Sequence, residues 1–200
     1  MGNYKRISIE EAQELMSAEA TIIDVRDPQS YSIGHIENAV HVSNENIQQF
    51  IAGTNKSKPL IIYCYRGNSS QDAAQYLSDK GFLDVYSIDG GFEEWSLNNF
   101  VKISSKILQA NKTPVFFIEK KDQELKNKIE ELIPNVLFPE HVSNFNSPAL
   151  VTCLAKRLNF AITIDNGIMH MLSLSKVPMI SLFGPTDSEK FAPEYKDSIV

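Results

Sequence analysis

The stretch from Leu60 to Ala74 constrains the fold of this chain more than any other part of the sequence. A short apolar run leads directly into Cys64, and a small polar loop with one arginine and one glycine then precedes a segment with helical spacing. This order predicts a strand, a loop and a helix, with the cysteine between the carboxyl end of the strand and the amino end of the helix. Loop N–H groups and the unpaired donors of a first helical turn favour an anion. We therefore expect Cys64 to be held as a thiolate.

The segments around this stretch alternate between strand-like and helix-like patterns. Ser8-Ile9-Glu10-Glu11 has the form of a capping box at the start of a helix that ends near Ser17. A brief helix is predicted near 47–51, and the helix after the cysteine loop is predicted to end at Gly81. Strands are predicted at 21–25, 39–42, 60–63 and 85–88. Such alternation predicts an α/β fold with a mainly parallel sheet flanked by helices.

The composition narrows the class of protein. A net charge of -6 and no cluster of Lys and Arg apart from Lys120-Lys121 argue against nucleic-acid binding. No apolar run approaches the roughly 20 residues of a membrane span, and no signal segment follows Met1, so we expect a cytoplasmic protein. The two cysteines, Cys64 and Cys153, form no C-x-x-C motif and exclude a disulfide framework. We predict no metal and no cofactor.

Three motifs in series resemble those of the rhodanese family, and most closely its small single-domain thiosulfate sulfurtransferases. They are Asp24-Val25-Arg26 with Tyr31 and Gly34-His35-Ile36, then Cys64-Tyr65-Arg66-Gly67-Asn68-Ser69, then Gly90-Gly91-Phe92-Glu93-Glu94-Trp95. The resemblance spans roughly Tyr4 to Leu97. It implies a rhodanese domain over residues 1–97.

The spacing after Cys64 separates two chemistries. A phosphatase loop of the Cys-x5-Arg type uses an arginine six residues after the cysteine to hold phosphoryl oxygens, but that position is Ser70 here. The sequence therefore argues against phosphatase activity. The rhodanese resemblance instead implies that Cys64 takes sulfane sulfur from thiosulfate or another persulfide donor, holds it as a persulfide and passes it to cyanide or a thiol acceptor.

The loop after Cys64 is predicted to bind the substrate. Its glycine and polar residues let the backbone curl around the sulfur, and such surroundings lower a thiol pKa from about 8.5 to about 3.5–7.5. Arg66 is expected to offset the charge of thiosulfate and of departing sulfite, with an exposed loop arginine as the alternative. The alternative for Cys64 is a small buried hydrophobic residue. The predicted substrate-binding residues are Tyr65, Arg66, Gly67, Asn68 and Ser69.

Several other residues of the three motifs are assigned structural roles. Asp24 and Arg26 stand at a strand end, where a carboxylate accepts loop N–H groups. His35 and His41 are expected to pack or form hydrogen bonds, because an attacking thiolate needs no general base. Trp95 is expected to anchor the core.

The second half of the chain continues the alternation after a predicted junction at Ser96–Asn99. Cys153 is expected to lie on a helix and to be buried in the hydrophobic core. A last strand is expected to begin at Ser198. Helices are predicted around 101–108, 125–133, 150–158 and 168–174. Strands are predicted at 114–118, 136–138, 161–164 and 179–182.

Two motifs in this half resemble the carboxyl-terminal half of the heptosyltransferases, glycosyltransferase family 9, which use ADP-heptose. They are Asp165-Asn166-Gly167-Ile168-Met169-His170 and Phe183-Gly184-Pro185-Thr186-Asp187, with a weaker likeness back to about Phe100. The resemblance implies a Rossmann-like nucleotide half over residues 98–200, incomplete because the acceptor-binding half and the first Gly-rich strand are absent. Its partner would be an ADP-sugar or a glycosyltransferase. A natural, truncated or engineered fusion all remain open.

A strand-turn-helix of this kind suits a diphosphate. N–H groups at the helix start can bind phosphate oxygens, and Asp165 can accept sugar or ribose hydroxyls. The alternative is that Asn166 only caps the helix and His170 is packed. The predicted nucleotide-binding residues are Asp165, Asn166, Gly167, His170 and Thr186.

Overall fold

The computed structural model describes residues 3–142, 147–164, 166–183, 187–195 and 197–200. The chain forms two compact units, Met1–Phe100 and Val101–Val200. Each unit contains a parallel sheet with helices around it, which confirms the predicted α/β class. Among the described residues, no helix is long and apolar enough to cross a membrane.

Five parallel strands form the sheet of the first unit, in the order β1-β5-β4-β2-β3. The strands are β1 (Lys5–Ile7), β2 (Thr21–Asp24), β3 (Val40–His41), β4 (Leu60–Tyr63) and β5 (Val85–Ile88). All four residues of β4 are buried, as expected for the central strand of a parallel sheet that is covered on both faces. The carboxyl end of β4 therefore delivers Cys64 to the middle of one edge of the sheet, where open α/β sheets place their sites.

The helices of the first unit confirm the predicted capping box and add one helix that was not predicted. They are α1 (Ile9–Ser17), α2 (Pro28–Ile33), α3 (Ile47–Gly53), α4 (Ser69–Asp79) and α5 (Gly91–Gln109). Glu11 donates its backbone N–H to Ser8 Oγ at 3.2 Å and accepts the Ser8 N–H at 2.8 Å. Gly81 has a φ of +92°, the left-handed conformation expected after a helix end.

Helix α5 runs through the junction predicted at Ser96–Asn99. No glycine or proline occurs between Phe92 and Lys112, and asparagine lowers helix propensity by well under about 1 kcal/mol. The polar segment therefore continues the helix, and Asn98 donates to the Glu10 carboxylate at 2.9 Å.

The second unit has three parallel strands in the order β6-β7-β8. The strands are β6 (Ala161–Ile164), β7 (Met179–Leu182) and β8 (Ser198–Ile199), and the helices are α6 (Gln123–Leu132), α7 (Pro139–Val142), α8 (Pro148–Ala155), α9 (Gly167–Leu174) and α10 (Ser188–Phe191). Its core includes Met169, Leu172 and Met179, which pack α9 against the sheet.

Two predictions for the second unit are wrong. The strands predicted at 114–118 and 136–138 reduce to one isolated parallel bridge between Val115 and Leu137, because only two backbone hydrogen bonds join the segments. Cys153 is exposed and not in the core. Val151 and Ala155 form the buried face of α8, and a residue two positions from each lies on the opposite side of the helix.

Candidate active site

Cys64 follows the central strand and is 4% exposed. Its Sγ lies 3.4 Å from the hydroxyl oxygen of Ser70, in the first turn of α4. Residues 65–68 form the loop between β4 and α4, so the predicted strand, loop and helix are confirmed. The nucleophile candidate is thus covered by its own loop and by the start of a helix.

The loop is oriented by the amino end of α5. The carbonyl groups of Cys64 and Tyr65 accept hydrogen bonds from the N–H groups of Phe92 and Glu93, at 2.9 and 3.0 Å. In a trans peptide the C=O and the next N–H point in opposite directions. The N–H groups that follow these carbonyls therefore turn away from α5, and a hydrogen bond from that of Arg66 helps to lower the pKa of the Cys64 thiol.

Two glycines permit this close contact between loop and helix. Gly67 and Gly91 have φ values of +79° and +59°, in the region that favours glycine. A Cβ on Gly67 would lie 2.8 Å from the Gly90 nitrogen, and one on Gly91 would lie 2.7 Å from the Gly67 nitrogen. The second and third motifs of the sequence, around Cys64 and Gly90, are therefore packed against each other.

Two linked side-chain hydrogen bonds hold the end of the cysteine loop that is nearer to α4. Gln71 donates its amide to the Gly67 carbonyl at 2.7 Å, and Tyr4 donates its hydroxyl to the Gln71 amide oxygen at 3.2 Å. The Gly67 carbonyl is thereby held on the side of α4. The loop backbone is thus tied to two helices.

The surroundings of Cys64 favour the thiolate. Burial by itself raises the pKa of the thiol, but hydrogen bonds from the Ser69 and Ser70 side chains and from the Ser70 and Arg66 backbone N–H groups outweigh it, so the pKa is lowered. The predicted thiolate is therefore consistent with the geometry of the loop.

Arg66 stands at the mouth of the site and is already paired. Its Nε lies 2.9 Å from Glu93 Oε2, with 73% of the Arg66 side chain and 52% of the Glu93 side chain exposed. Tyr65, Asn68 and Ser69 are also exposed. The structure thus gathers the predicted substrate-binding residues around Cys64, with Gly67 buried beneath them.

Asp24 and Arg26 form a buried ion pair that supports α5. Arg26 Nη2 lies 2.6 Å from Asp24 Oδ2, and the Arg26 backbone N–H donates to Asp24 Oδ1 at 2.9 Å. The guanidinium carbon lies 3.8 Å from the centre of the Phe92 ring. The structural role predicted for this pair is confirmed, because it connects the end of β2 to the first turn of α5.

The other predicted structural residues also make local contacts. His35 Nδ1 lies 2.9 Å from the Tyr31 carbonyl oxygen, and its ring stacks on that of Tyr31 at 4.0 Å. His41 Nε2 lies 2.7 Å from the Arg26 carbonyl oxygen. Trp95 packs against the core of the first unit.

The predicted nucleotide-binding residues lie in the second unit. Asn166 caps α9, and its side-chain oxygen accepts the N–H groups of Ile168 and Met169 at 3.0 and 3.2 Å. Gly167 and His170 are exposed, and apart from its chain neighbours and its own helix no described residue has an atom within 4 Å of a Cβ built on Gly167. Asp165 and Thr186 lie outside the described residues. The capping role of Asn166 is thus present, and the described part of this site is open to solvent.

Sequence reasoning missed several residues of the first site. The sequence identifies Ser70 only as a polar loop residue that stands where a phosphatase has arginine, and it assigns no role to Gln71, Ser87 and Glu93. A signal existed for Ser87, since a serine interrupts an otherwise apolar strand. In the part of the chain that the structure describes, no group of three or more His, Cys, Asp or Glu could hold a metal ion.

In a comparison with known proteins, each half of the chain matches a protein family. The rhodanese-like domain family matches residues 8–98, and glycosyltransferase family 9 (heptosyltransferase) matches residues 68–200. Thiosulfate sulfurtransferase GlpE of Ectopseudomonas mendocina is 52% identical over 95 residues, which cover 48% of this chain and 87% of the relative. GlpE of Pseudomonas fluorescens strain SBW25 is 50% identical over 105 residues, 52% of this chain and 96% of the relative.

Among solved structures, a rhodanese-related protein from Thermoplasma volcanium is 26% identical to this chain and has a TM-score of 0.43. The match covers 48% of this chain and 93% of the solved chain.

Residues 68–98 fall within both family matches. In the structure they contain α4, β5 and the start of α5, and β5 pairs with β1 and β4, so they belong to the first sheet. The chain therefore belongs to the rhodanese family of sulfurtransferases through its first unit, and to glycosyltransferase family 9 through the residues that follow.

Proposed function

We propose that Cys64 is the nucleophile of a thiosulfate sulfurtransferase and carries sulfane sulfur as a persulfide. The observation that carries the proposal is the buried position of Cys64 Sγ at the end of β4, 3.4 Å from the Ser70 hydroxyl, where hydrogen bonds from Ser69, Ser70 and Arg66 lower the pKa of the thiol. Such donors stabilise an anionic sulfur both before and after it accepts a second sulfur atom. The GlpE relatives support thiosulfate as the donor.

In the first step the Cys64 thiolate attacks the outer sulfur of thiosulfate. An S–S bond forms to Cys64 Sγ while the S–S bond of thiosulfate breaks, and sulfite leaves with the electron pair of that bond. The outer sulfur then carries the negative charge of a persulfide anion. Arg66, at the mouth of the site, attracts the thiosulfate dianion and offsets the charge of departing sulfite.

In the second step the acceptor attacks the outer sulfur of the persulfide. Cyanide gives thiocyanate and a thiolate gives a new persulfide, and in both cases the electron pair returns to Cys64 as its thiolate. Loop N–H groups hold the anion at each stage, so neither step needs a general base. The exposed Tyr65, Asn68 and Ser69 would contact the incoming molecule. We place this chemistry in the cytoplasm, where reducing conditions keep both cysteines as thiols.

A loading assay tests this proposal. Incubation of the full chain with thiosulfate should add the mass of one sulfur atom to the protein, and cyanide should remove it with release of thiocyanate. Cys64→Ser should abolish both, whereas Cys153→Ser is the matched control because Cys153 is exposed on α8. A Cys64→Ser protein that forms thiocyanate at the parent rate would refute the proposal.

The physiological donor requires a separate comparison. A persulfide relay from a protein donor uses the same Cys64 chemistry but bypasses free thiosulfate. Rapid loading from a cysteine desulfurase, with negligible turnover of thiosulfate, would assign the relay. Turnover of thiosulfate at rates that exceed loading from the desulfurase would assign thiosulfate.

We further propose that residues 98–200 form a nucleotide-sugar-binding module attached to a rhodanese domain of residues 1–97. The match to glycosyltransferase family 9 supports this candidate, with Asp165, Asn166, Gly167, His170 and Thr186 as its binding residues. In this alternative function the rhodanese domain acts as a persulfide carrier beside a module that binds an ADP-sugar or a glycosyltransferase.

Calorimetry with ADP and ADP-sugars tests the module. Binding should be lost in Asp165→Ala and retained in Asp122→Ala, a matched control at the start of α6 whose side chain makes no capping hydrogen bond. Absence of heat at millimolar ligand, or equal binding by both variants, would count against the module.

A further inference from the structure

Ser87 occupies a place where an apolar residue is expected. It lies on β5, between β1 and β4, and pairs in register with Ile62 of β4. Both faces of such a strand are covered, and Ser87 has no exposed surface. A buried hydroxyl without a hydrogen-bond partner is unfavourable, so this serine needs a partner in the protein interior.

The partner of Ser87 is the residue that contacts the nucleophile. Ser87 donates its hydroxyl to Ser70 Oγ at 2.9 Å, and Ser70 is also fully buried. Ser70 Oγ lies 3.4 Å from Cys64 Sγ. Two buried hydroxyl groups therefore connect the middle of β5 to the sulfur at the end of β4.

The number of protons on the two hydroxyl groups determines which group donates to which along this pair of hydrogen bonds. A serine hydroxyl has one proton to donate and two lone pairs that accept. Because Ser87 gives its proton to the Ser70 oxygen, Ser70 keeps its own proton for another acceptor. A thiolate is an acceptor only, and donation from Ser87 polarises the Ser70 hydroxyl and strengthens its bond to the sulfur.

We propose that Ser87 is a positioning residue that, through Ser70, directs a hydroxyl proton onto the Cys64 sulfur and so favours its anionic form. This inference rests on the proposed role of Cys64 as the nucleophile. Without the Ser87 hydroxyl, Ser70 is free to turn its proton to a backbone carbonyl one helical turn back, as serine does within helices. The sulfur then loses the Ser70 hydroxyl as a donor, and no other described side chain of β5 takes its place.

The charged groups of the neighbouring elements do not depend on this hydroxyl pair. Most form ion pairs of their own, and the acidic residue in the first turn of α4 is exposed. The pairs are Arg66 with Glu93, Arg26 with Asp24 and Arg6 with Asp89, and the exposed residue is Asp72. A change at Ser87 therefore acts on Cys64 through the hydroxyl chain.

The test compares two variants of equal shape. In the full chain with Cys153→Ser, so that only Cys64 reacts, the rate of alkylation by iodoacetamide is measured against pH. Ser87→Thr keeps the hydroxyl and Ser87→Val replaces it with a methyl group. We expect Ser87→Val to move the midpoint upward by about half a pH unit, a roughly threefold loss of thiolate below the midpoint, relative to Ser87→Thr. Ser87→Ala provides the same comparison without added volume if the larger side chains prevent folding.

A second background tests whether Ser87 acts through Ser70. In Ser70→Ala the difference between Ser87→Val and Ser87→Thr should vanish, as coupled residues require. Ser78→Ala is the control, a buried serine of the same helix about 12 Å further along it. Equal midpoints for Ser87→Val and Ser87→Thr, or a difference that persists in Ser70→Ala, would overturn the inference.

These results are independent of sulfur transfer. If the parent protein takes no sulfur from thiosulfate or from a persulfide donor, the proposed function fails, but the alkylation series still decides the role of Ser87. If loading succeeds while Ser87→Val and Ser87→Thr titrate alike, the proposed function stands and only the role of Ser87 fails.

Discussion

Replacement of Gly91 by alanine should damage both stability and sulfur transfer. Gly91 has a φ of +59°, and a Cβ there would lie 2.7 Å from the Gly67 nitrogen and 2.8 Å from the Tyr65 carbonyl oxygen. Both atoms belong to the backbone of the cysteine loop, so no flexible side chain can move aside. The loop must shift away from α5, and the peptide group that turns the Arg66 N–H toward the sulfur shifts with it.

The magnitude follows from two separate effects. A left-handed conformation costs a residue with a Cβ about 1–2 kcal/mol, and displacement of packed backbone adds about 1–3 kcal/mol. We therefore expect Gly91→Ala to lower the free energy of unfolding of the first unit by about 2–5 kcal/mol. Gly81→Ala isolates the first effect, because its φ is +92° but the nearest atom to its Cβ is a lysine side-chain carbon at 4.0 Å. Gly53→Ala, with no neighbour within 4 Å at the end of α3, should raise the stability by about 0.5–1 kcal/mol.

Trp95 provides the assay, because it is the one tryptophan of the chain and packs against the core of the first unit. Its fluorescence during urea unfolding reports on that unit alone, and the rate of thiosulfate loading is measured on the same proteins. Loading should fall at least about tenfold in Gly91→Ala, since a small displacement of a positioned group has effects of this size, and should be unchanged in Gly53→Ala. A Gly91→Ala protein no less stable than Gly81→Ala would refute the steric argument.

Three further predictions follow from the pairs and donors of the first unit. Asp24→Asn should lower the free energy of unfolding by about 3–5 kcal/mol, because it leaves a buried guanidinium unpaired, whereas Arg6→Gln, at an exposed ion pair, should leave the urea midpoint nearly unchanged. Glu93→Gln should raise kcat/KM for thiosulfate a few-fold at low ionic strength, because it frees the charge of Arg66, and this gain should disappear in high salt. The lowered pKa of Cys64 predicts a loading rate that is constant above that pKa and falls as pH drops through it. The same shift adds stability above the pKa of the unfolded thiol, which is lost as pH falls through the folded pKa and should be absent in Cys64→Ser.

The strand, loop and helix around Cys64 were predictable because their signals are local. An apolar run, a polar loop and helical spacing follow one another without interruption, and the capping box at Ser8 is likewise complete within four residues. Helix α2 escaped prediction because Asp27-Pro28 serves equally as turn chemistry and as an N-cap followed by the first helical residue. Local sequence does not distinguish these two uses.

Other features depend on contacts that a sequence does not contain. The apolar segment at 114–118 has strand-forming residues, but in the described structure its pairing consists of a single bridge. Ser70 and Ser87 are 17 residues apart, and only the parallel pairing of β4 and β5 brings the second hydroxyl beneath the first. The pairing of Arg66 with Glu93 likewise depends on the docking of α5 against the cysteine loop.

We expect the docking of the cysteine loop on α5 to limit the size of the group that binds beside the sulfur. Carbonyl groups of the loop are bound at its start by α5 and at its end by Gln71, so the loop backbone beside the sulfur is held at both ends. A larger group within the loop would require a wider loop, and therefore the loss of these anchoring hydrogen bonds. We expect the rigidity of the loop backbone to set the selectivity of this site by ligand size. A longer cysteine loop grafted into this protein would therefore need a matching first turn of α5, because that turn binds the loop carbonyl groups.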